Sequence, residues 1–404
     1  MKRSTTTVLR LFLLAGATIL ASCSKDLSNQ PVAVSSAQQS EDSGSPIPIV
    51  PPPMVVPADN PMSQVKVDLG RKLFFDPNVG VPFAHTTGPN AGKTLGVSCA
   101  SCHQPDRAFS DHVAFSPGIS DKVGTRNAPT LVNVGYFTTY TWDGKFETLE
   151  KHAPGPMFSA VEMGNNISST KKAGGSLGYY ESDPGSNDTL LMFKRIADGD
   201  NATYVTLFMN AFGDAQITLD RMVKAIACFE RTIVSPGSPF DSYNRYLHQA
   251  GGSATAISES AKRGFKLFTD PAKANCISCH SGYNFTDGTF RNNGLAAVEG
   301  DTGRFIVTRK QTDKYCYRVP TLRNVAVTGP YMHDGRYATL AQVLANYRNG
   351  GMHSLNQDAA IKPLQLTDQD MADLLAFLNS LTDGQVTETH TEQMLAPRSQ
   401  LSLQ

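Results

Sequence analysis

Apolar positions along the chain recur in short bursts with helical spacing. Gly70-Arg-Lys-Leu-Phe-Phe-Asp-Pro77 and Gly264-Phe-Lys-Leu-Phe-Thr-Asp-Pro271 each read as a short amphipathic helix stopped by Asp-Pro. Proline has no N–H to continue the ladder and disfavours helical geometry in the residue before it. Residues 222–229 and 340–347 carry the same helical period. The predicted fold class is mainly α, with no stretch of the body long and apolar enough to cross a membrane.

The two Asp-Pro helices are part of a longer internal repeat. Pro129-Thr-Leu-Val-Asn133 matches Pro320-Thr-Leu-Arg-Asn324, and Trp142-Asp-Gly-Lys-Phe-Glu-Thr-Leu149 matches His333-Asp-Gly-Arg-Tyr-Ala-Thr-Leu340. Thirteen residues separate the starts of these motifs in both copies. A duplication of this length predicts two domains of similar topology, 58–245 and 246–384.

The flanks are of a different kind. Lys2, Arg3 and Arg10 lead into an apolar run at 11–20, too short for a mature membrane helix and suited to a signal-peptide core, so 1–22 reads as a leader. It ends in Leu20-Ala-Ser-Cys23, which resembles a bacterial lipobox with Cys23 as the acylated residue; an ordinary leader with a chance cysteine is the other reading. Residues 23–57 read as a Pro/Ser-rich flexible tether and 385–404 as a polar tail. The expected location is the periplasmic side of a bacterial membrane, held there by lipid alone. Lys+Arg and Asp+Glu both total 36 in 404 residues, which argues against nucleic acid as a partner. A homodimer is compatible with this composition.

The seven cysteines carry the chemistry. Cys99-x-x-Cys102-His103 and Cys276-x-x-Cys279-His280 each pair two thiols able to form thioethers with one haem and a histidine able to bind its iron. One such pair would leave zinc or a disulfide open; a histidine directly after both pairs, in an exported chain, favours two covalent c-type haems. Cys228 and Cys316 remain, the first on an apolar helix where a buried thiol is the default, with a Cys228–Cys316 disulfide left open.

On these motifs, together with Gly124-Thr-Arg-Asn-Ala-Pro-Thr130, Phe229-Glu-Arg-Thr232 and Pro330-Tyr-Met-His-Asp-Gly335, the chain over residues 60–384 resembles the bacterial di-haem cytochrome c peroxidases and their MauG-type relatives. The resemblance implies that the N-terminal haem meets hydrogen peroxide and the C-terminal haem handles electrons, with Trp142 as the relay between them. It implies Glu162 as the acid–base group, with His152 where the family has a glutamine, and an open iron face at Pro156. It puts the sixth ligand of the C-terminal haem at Tyr347, a phenolate in the MauG type; the other reading of the sequence is a core tyrosine there, with Met352 or His353 bending back from the Asn349-Gly-Gly351 turn to bind instead. It implies a calcium ion held by the Asn127 side chain and the carbonyls of Thr328 and Pro330. The family histidine that blocks the N-terminal iron would fall near Ile119-Ser120, which cannot bind haem. His112 is the nearest substitute, although it reads as a solvated surface residue, as do His85, His248 and His390. Three functions follow as expectations: a peroxidase fed by a small cytochrome or copper protein, a MauG-like enzyme that oxidises Trp or Tyr side chains of a protein substrate, and a non-enzymatic di-haem electron carrier.

Overall fold

The computed structural model describes residues 45–86, 90–165 and 187–386. The leader, Cys23 and His390 lie outside them. The helices in chain order are α1 (Gln64–Phe75), α2 (Leu149–His152), α3 (Pro154–Met157), α4 (Asn187–Phe212), α5 (Leu219–Glu230), α6 (Pro239–Leu247), α7 (Glu259–Thr269), α8 (Phe305–Thr308), α9 (Leu340–Arg348) and α10 (Asp368–Asn379). The only strands among the described residues are two-residue pairs, Phe83–Ala84 with Thr94–Leu95 and Phe290–Arg291 with Tyr317–Arg318. The mainly α expectation holds.

Each lobe is organised around one close helix crossing. A Cβ at Gly70 of α1 would fall 1.9 Å from the Ala225 carbonyl oxygen of α5, and a Cβ at Gly264 of α7 would fall 1.9 Å from the Asp373 oxygen of α10. Only glycine lets the two backbones meet there. Both helices stop as expected, with Asp76 and Asp270 as C-caps. Aromatic residues seal the crossings: Phe74, Phe109 and Phe229 in the first core, and Phe240, Phe265, Phe268, Phe285 and Phe377 in the second.

The repeat is geometric as well as textual. Asn133 and Asn324 both adopt the left-handed conformation, at φ 59° and 60°. Tyr140 N–H donates to Phe146 O at 2.8 Å, as Tyr331 N–H does to Tyr337 O at 2.7 Å. Thr148 caps α2 and Thr339 caps α9. The copies then diverge. The second continues through α9, whereas Pro154 and Pro156 break the first into the short pieces α2 and α3, because neither proline can donate to a continuing helix.

Packing contacts cross three of the expected boundaries. A division at 245/246 falls within α6, whose Phe240 belongs to the C-terminal core and whose Asp241 forms a buried two-point ion pair with Arg323 at 2.9 and 3.0 Å. The tether is not free from 45 onward. Ile47 is buried in the C-terminal core, its carbonyl taken by Asn244 Nδ2 and His248 Nε2, each at 3.0 Å, while Val55 N–H donates to Gly135 O in the N-terminal lobe at 2.9 Å. The polar tail likewise begins later than 385, since Val386 is buried in the N-terminal core. In each case a few apolar side chains found a core to enter, which local composition does not reveal.

The histidines differ accordingly. His248 is part-buried under Ile47, and His85 stacks on Phe83 at 4.0 Å beside Asp121. His112 is 54% exposed, as expected, and its Nδ1 faces Gln104 Oε1 and Asp111. Cys228 and Cys316 are both buried and free, so no disulfide joins them. Cys228 Sγ donates to Asn60 Oδ1 and Cys316 Sγ to Thr312 O.

Candidate di-haem site

Each Cys-x-x-Cys-His motif makes one tight turn. Residues Cys99–Ser101 and Cys276–Ser278 are single 3₁₀ turns, and the N–H groups of His103 and His280 donate to Cys99 O and Cys276 O at 3.0 and 2.9 Å. At the second motif Cys276, Cys279 and His280 line one common cleft. His103 Nδ1 lies 3.0 Å from Phe109 O, and His280 Nδ1 lies 3.1 Å from Phe285 O. A neutral imidazole that donates from Nδ1 presents Nε2 as a metal ligand. Burial lowers both histidine pKa values, opposed by those carbonyls, and so favours the neutral ring.

His280 opens onto a cleft with about 1400 Å³ of empty space, partly open to solvent, lined mostly by apolar side chains. Tyr347 projects into it from α9, with Asn293 Nδ2 donating to its hydroxyl at 3.4 Å. Burial raises the Tyr347 pKa, with that hydrogen bond opposing. Met352 is 58% exposed and does not line the cleft. Met332 does, with Sδ 3.5 Å from the same Asn293 amide.

At the N-terminal motif the residue at the place of Tyr347 is Pro156, in α3, whose carbonyl accepts from Met163 N–H at 3.3 Å. This bond folds 159–163 back over α3 and carries Glu162 with it. Desolvation raises the Glu162 carboxyl pKa, opposed by a hydrogen bond with Ser159. His152, at the end of α2, stacks over Tyr140 at 6.3 Å and meets Phe146 edge-on at 5.4 Å. Burial, then the nearby His103, lowers it to about 4, so it is neutral at ordinary pH. Ile119 N–H donates to Glu162 O at 2.7 Å. The loop expected to lack a blocking histidine therefore packs on the Glu162 turn through Ile119.

The two copies meet through equivalent residues. Arg318 N–H donates to Trp142 O and Asn127 N–H donates to His333 O, each at 2.7 Å; Asn127 and Arg318 hold the same place in the repeat, as do Trp142 and His333. Trp142 Nε1 donates to Asn127 O at 2.9 Å, and its ring meets His333 edge-on at 6.5 Å. Arg126 clamps the seam, with 2.7–2.8 Å bonds to Asp301 in one lobe and Asp143 in the other. Asn127, Thr328 and Pro330 line one smaller cavity at this seam, together with Trp142 and Arg318.

Sequence reasoning missed Arg318. Its Nε and Nη1 are buried with no protein hydrogen-bond partner among the described residues, and it lines both cavities. His333 Nε2 is likewise buried and unpartnered. Unpaired buried nitrogens facing apolar clefts fit a ligand that brings its own carboxylates, as haem does. The repeat register could have flagged His333, which stands opposite Trp142. Nothing local marks Arg318.

Residues 64–249 match the family profile of the di-haem cytochrome c peroxidases, and 261–382 that of cytochrome c. The methylamine utilization protein MauG of Methylophilus methylotrophus is 32% identical over 328 residues, 81% of this chain and 85% of that protein. The cytochrome c551 peroxidase of Pseudomonas aeruginosa is 31% identical over 334 residues, covering 80% and 81%. Among solved structures, a MauG-like protein associated with microbial copper homeostasis superposes with a TM-score of 0.69 at 30% identity, over 84% of this chain and 95% of that one. Both haem motifs lie inside the matched segments, and the chain is an enzyme of the di-haem cytochrome c peroxidase and MauG family, with two c-type haems.

Proposed function

We propose that the enzyme reacts with hydrogen peroxide at the N-terminal haem and draws electrons through Trp142 from the C-terminal haem, whose iron His280 and Tyr347 would hold. The reading is carried by the contrast between the two copies of the repeat: a phenol from α9 in the cleft beside His280, and Pro156, without a side-chain donor atom, at the equivalent place in the first copy. A pure electron carrier gains nothing from an open face beside a carboxylate. An anionic oxygen ligand favours ferric and higher states over ferrous iron, which suits the holding of oxidising equivalents. Of the two enzymatic readings, MauG-like oxidation of a protein substrate is therefore preferred over turnover with a small cytochrome or copper-protein donor.

When bound, the haems supply the iron that cleaves peroxide and a store for its two oxidising equivalents. The remaining work belongs to side chains. Glu162 takes the proton from the near peroxide oxygen and returns it to the leaving one. Neutral His152 can accept or donate a hydrogen bond in the same space. Arg318 and His333 would hold haem carboxylates, and Trp142 is fixed at the seam by its bond to Asn127 O.

The direct test is stopped-flow mixing of the ferric protein with peroxide. A rapid spectral change without prior reduction is expected. Reaction of a half-reduced form alone would mean that a ligand such as His112 swings in to block the iron, and would overturn the open-face reading.

We also propose a calcium ion at the seam, held by the Asn127 side-chain oxygen and the carbonyls of Thr328 and Pro330, since a hard cation asks only for oxygen ligands. Asn127 Nδ2 is occupied with Val113 O and Ala114 O, which leaves Oδ1 for a cation. Verified removal of calcium by a chelator should slow electron transfer between the haems and lower Tm. No change in either would end the idea.

A further inference from the structure

Tyr317 occupies an unusual position for a tyrosine. It is 9% exposed, and its ring lies flat on His333, centroids 3.7 Å apart and planes 12° from parallel. His333 in turn meets Trp142 at 6.5 Å. Tyr317, His333 and Trp142 all line the C-terminal cleft. Arg126 stands 5.7 Å from the Tyr317 ring centre, but its charge is matched by Asp301 and Asp143, so it opposes oxidation of the ring only weakly.

We propose that Tyr317 is a redox-active tyrosine, a second station beside Trp142 for oxidising equivalents passing between the haems, with Asp301 as the acceptor of its phenolic proton. The proposal rests on the peroxide-dependent reading above.

The step balances. Hydrogen peroxide is the oxidant and takes two electrons and two protons to become water. One of those electrons leaves Tyr317 toward the oxidised haem, the O–H bond breaks, and the proton passes to the Asp301 carboxylate, leaving a neutral phenoxyl radical; a later electron from the donor or substrate restores the phenol and recovers the proton.

Proton loss is required because an oxidised phenol that keeps its proton is a cation, and a buried cation is costly. Asp301 is the carboxylate beside Tyr317: the two loops are laced together by Tyr315 N–H to Thr302 O at 3.0 Å and Arg304 N–H to Cys316 O at 2.9 Å, and Arg126, 5.7 Å from the Tyr317 ring, holds Asp301 at 2.7–2.8 Å; burial first, then Asp301, raises the tyrosine pKa. Burial opposes ionisation of Asp301, but Arg126 and the Gly303 N–H outweigh it and hold the carboxyl below its usual range, so it is present as the base. The other charged groups facing this cluster are Asp334, Arg126 and Arg336; His333 is lowered to about 4 by burial and so is neutral. Trp142 has no such acceptor, since its indole N–H donates to a backbone carbonyl. A hole therefore settles on the tyrosine, which can shed a proton, more readily than on the tryptophan, which cannot.

The test is to mix the ferric holoprotein with peroxide, freeze it at millisecond times and record electron paramagnetic resonance, using protein grown with ring-deuterated tyrosine to identify the radical. Wild type should give a tyrosyl signal, and its haem spectrum should relax with a solvent deuterium isotope effect. Tyr317→Phe, which keeps the ring stack on His333 and hence the fold, should lose both, while Tyr283→Phe should keep both. A tyrosyl signal retained in Tyr317→Phe, or absent from wild type whose ferric spectrum has been changed by peroxide, would overturn the assignment of Tyr317 alone. A ferric spectrum untouched by peroxide would overturn this inference together with the reading beneath it.

Discussion

Glu162→Gln is expected to slow the reaction of the ferric protein with peroxide by roughly 10²–10⁴-fold, the usual worth of a positioned acid–base group. Both haems should remain attached, because the 159–163 turn is held by backbone bonds, Met163 N–H to Pro156 O and Ile119 N–H to Glu162 O, that the substitution does not touch. The pH profile supplies a second signature. Desolvation raises the Glu162 pKa, and the carboxylate is the form that accepts the first proton. Wild-type reactivity should therefore fall as pH drops through that raised value, and the Gln variant should lose this limb. His152 cannot produce the same limb, because it is already neutral down to about pH 4. Stopped-flow rates across pH decide the matter: a Gln variant within a few-fold of wild type with the acid limb intact would move the role to His152 or to bound water.

The second large effect is expected at Tyr347. Replacing it by Met should raise the potential of the C-terminal haem by on the order of a hundred millivolts, within the ~0.8 V over which axial ligation tunes haem. Activity should shift toward turnover with a reduced small redox protein. Tyr347→Phe should remove the ligand and alter the spin state of that haem. The paired control is Met352→Ala, which should change nothing, because Met352 is 58% exposed and outside the cleft. Met332→Leu belongs in the set, since Met332 lines the cleft and shares Asn293 with Tyr347. If Tyr347→Phe leaves spectrum and potential unchanged while a methionine variant turns the haem high-spin, the ligand is that methionine, and donor-fed peroxidase turnover becomes the better reading.

The two Cys-x-x-Cys-His motifs, the duplication, the helix stops and the shared register of Tyr347 and Pro156 were all legible in the chain, for one reason: each depends on residues a few positions apart or on register within a repeat. Cys99, Cys102 and His103 need only one tight turn to come together. Pro154 and Pro156 break their helix whatever surrounds them.

What tertiary structure alone decided depends on residues far apart in sequence. Arg126 faces Asp301 across 175 positions, and Asn244 holds the carbonyl of Ile47 across 197; no local pattern records such pairings, so the inter-lobe clamp and the docking of 45–57 onto both lobes stayed hidden. The same holds for Arg318, an ordinary residue in the chain that buries two guanidinium nitrogens without a hydrogen-bond partner once folded, and for Tyr317, whose stack on His333 joins residues 16 positions apart. Spacing along the chain selected the cofactor chemistry, since covalent attachment and capping act over a single turn. Burial, charge pairing and the route between the two centres are properties of the assembled seam, where desolvation and long-range contact outweigh local preference.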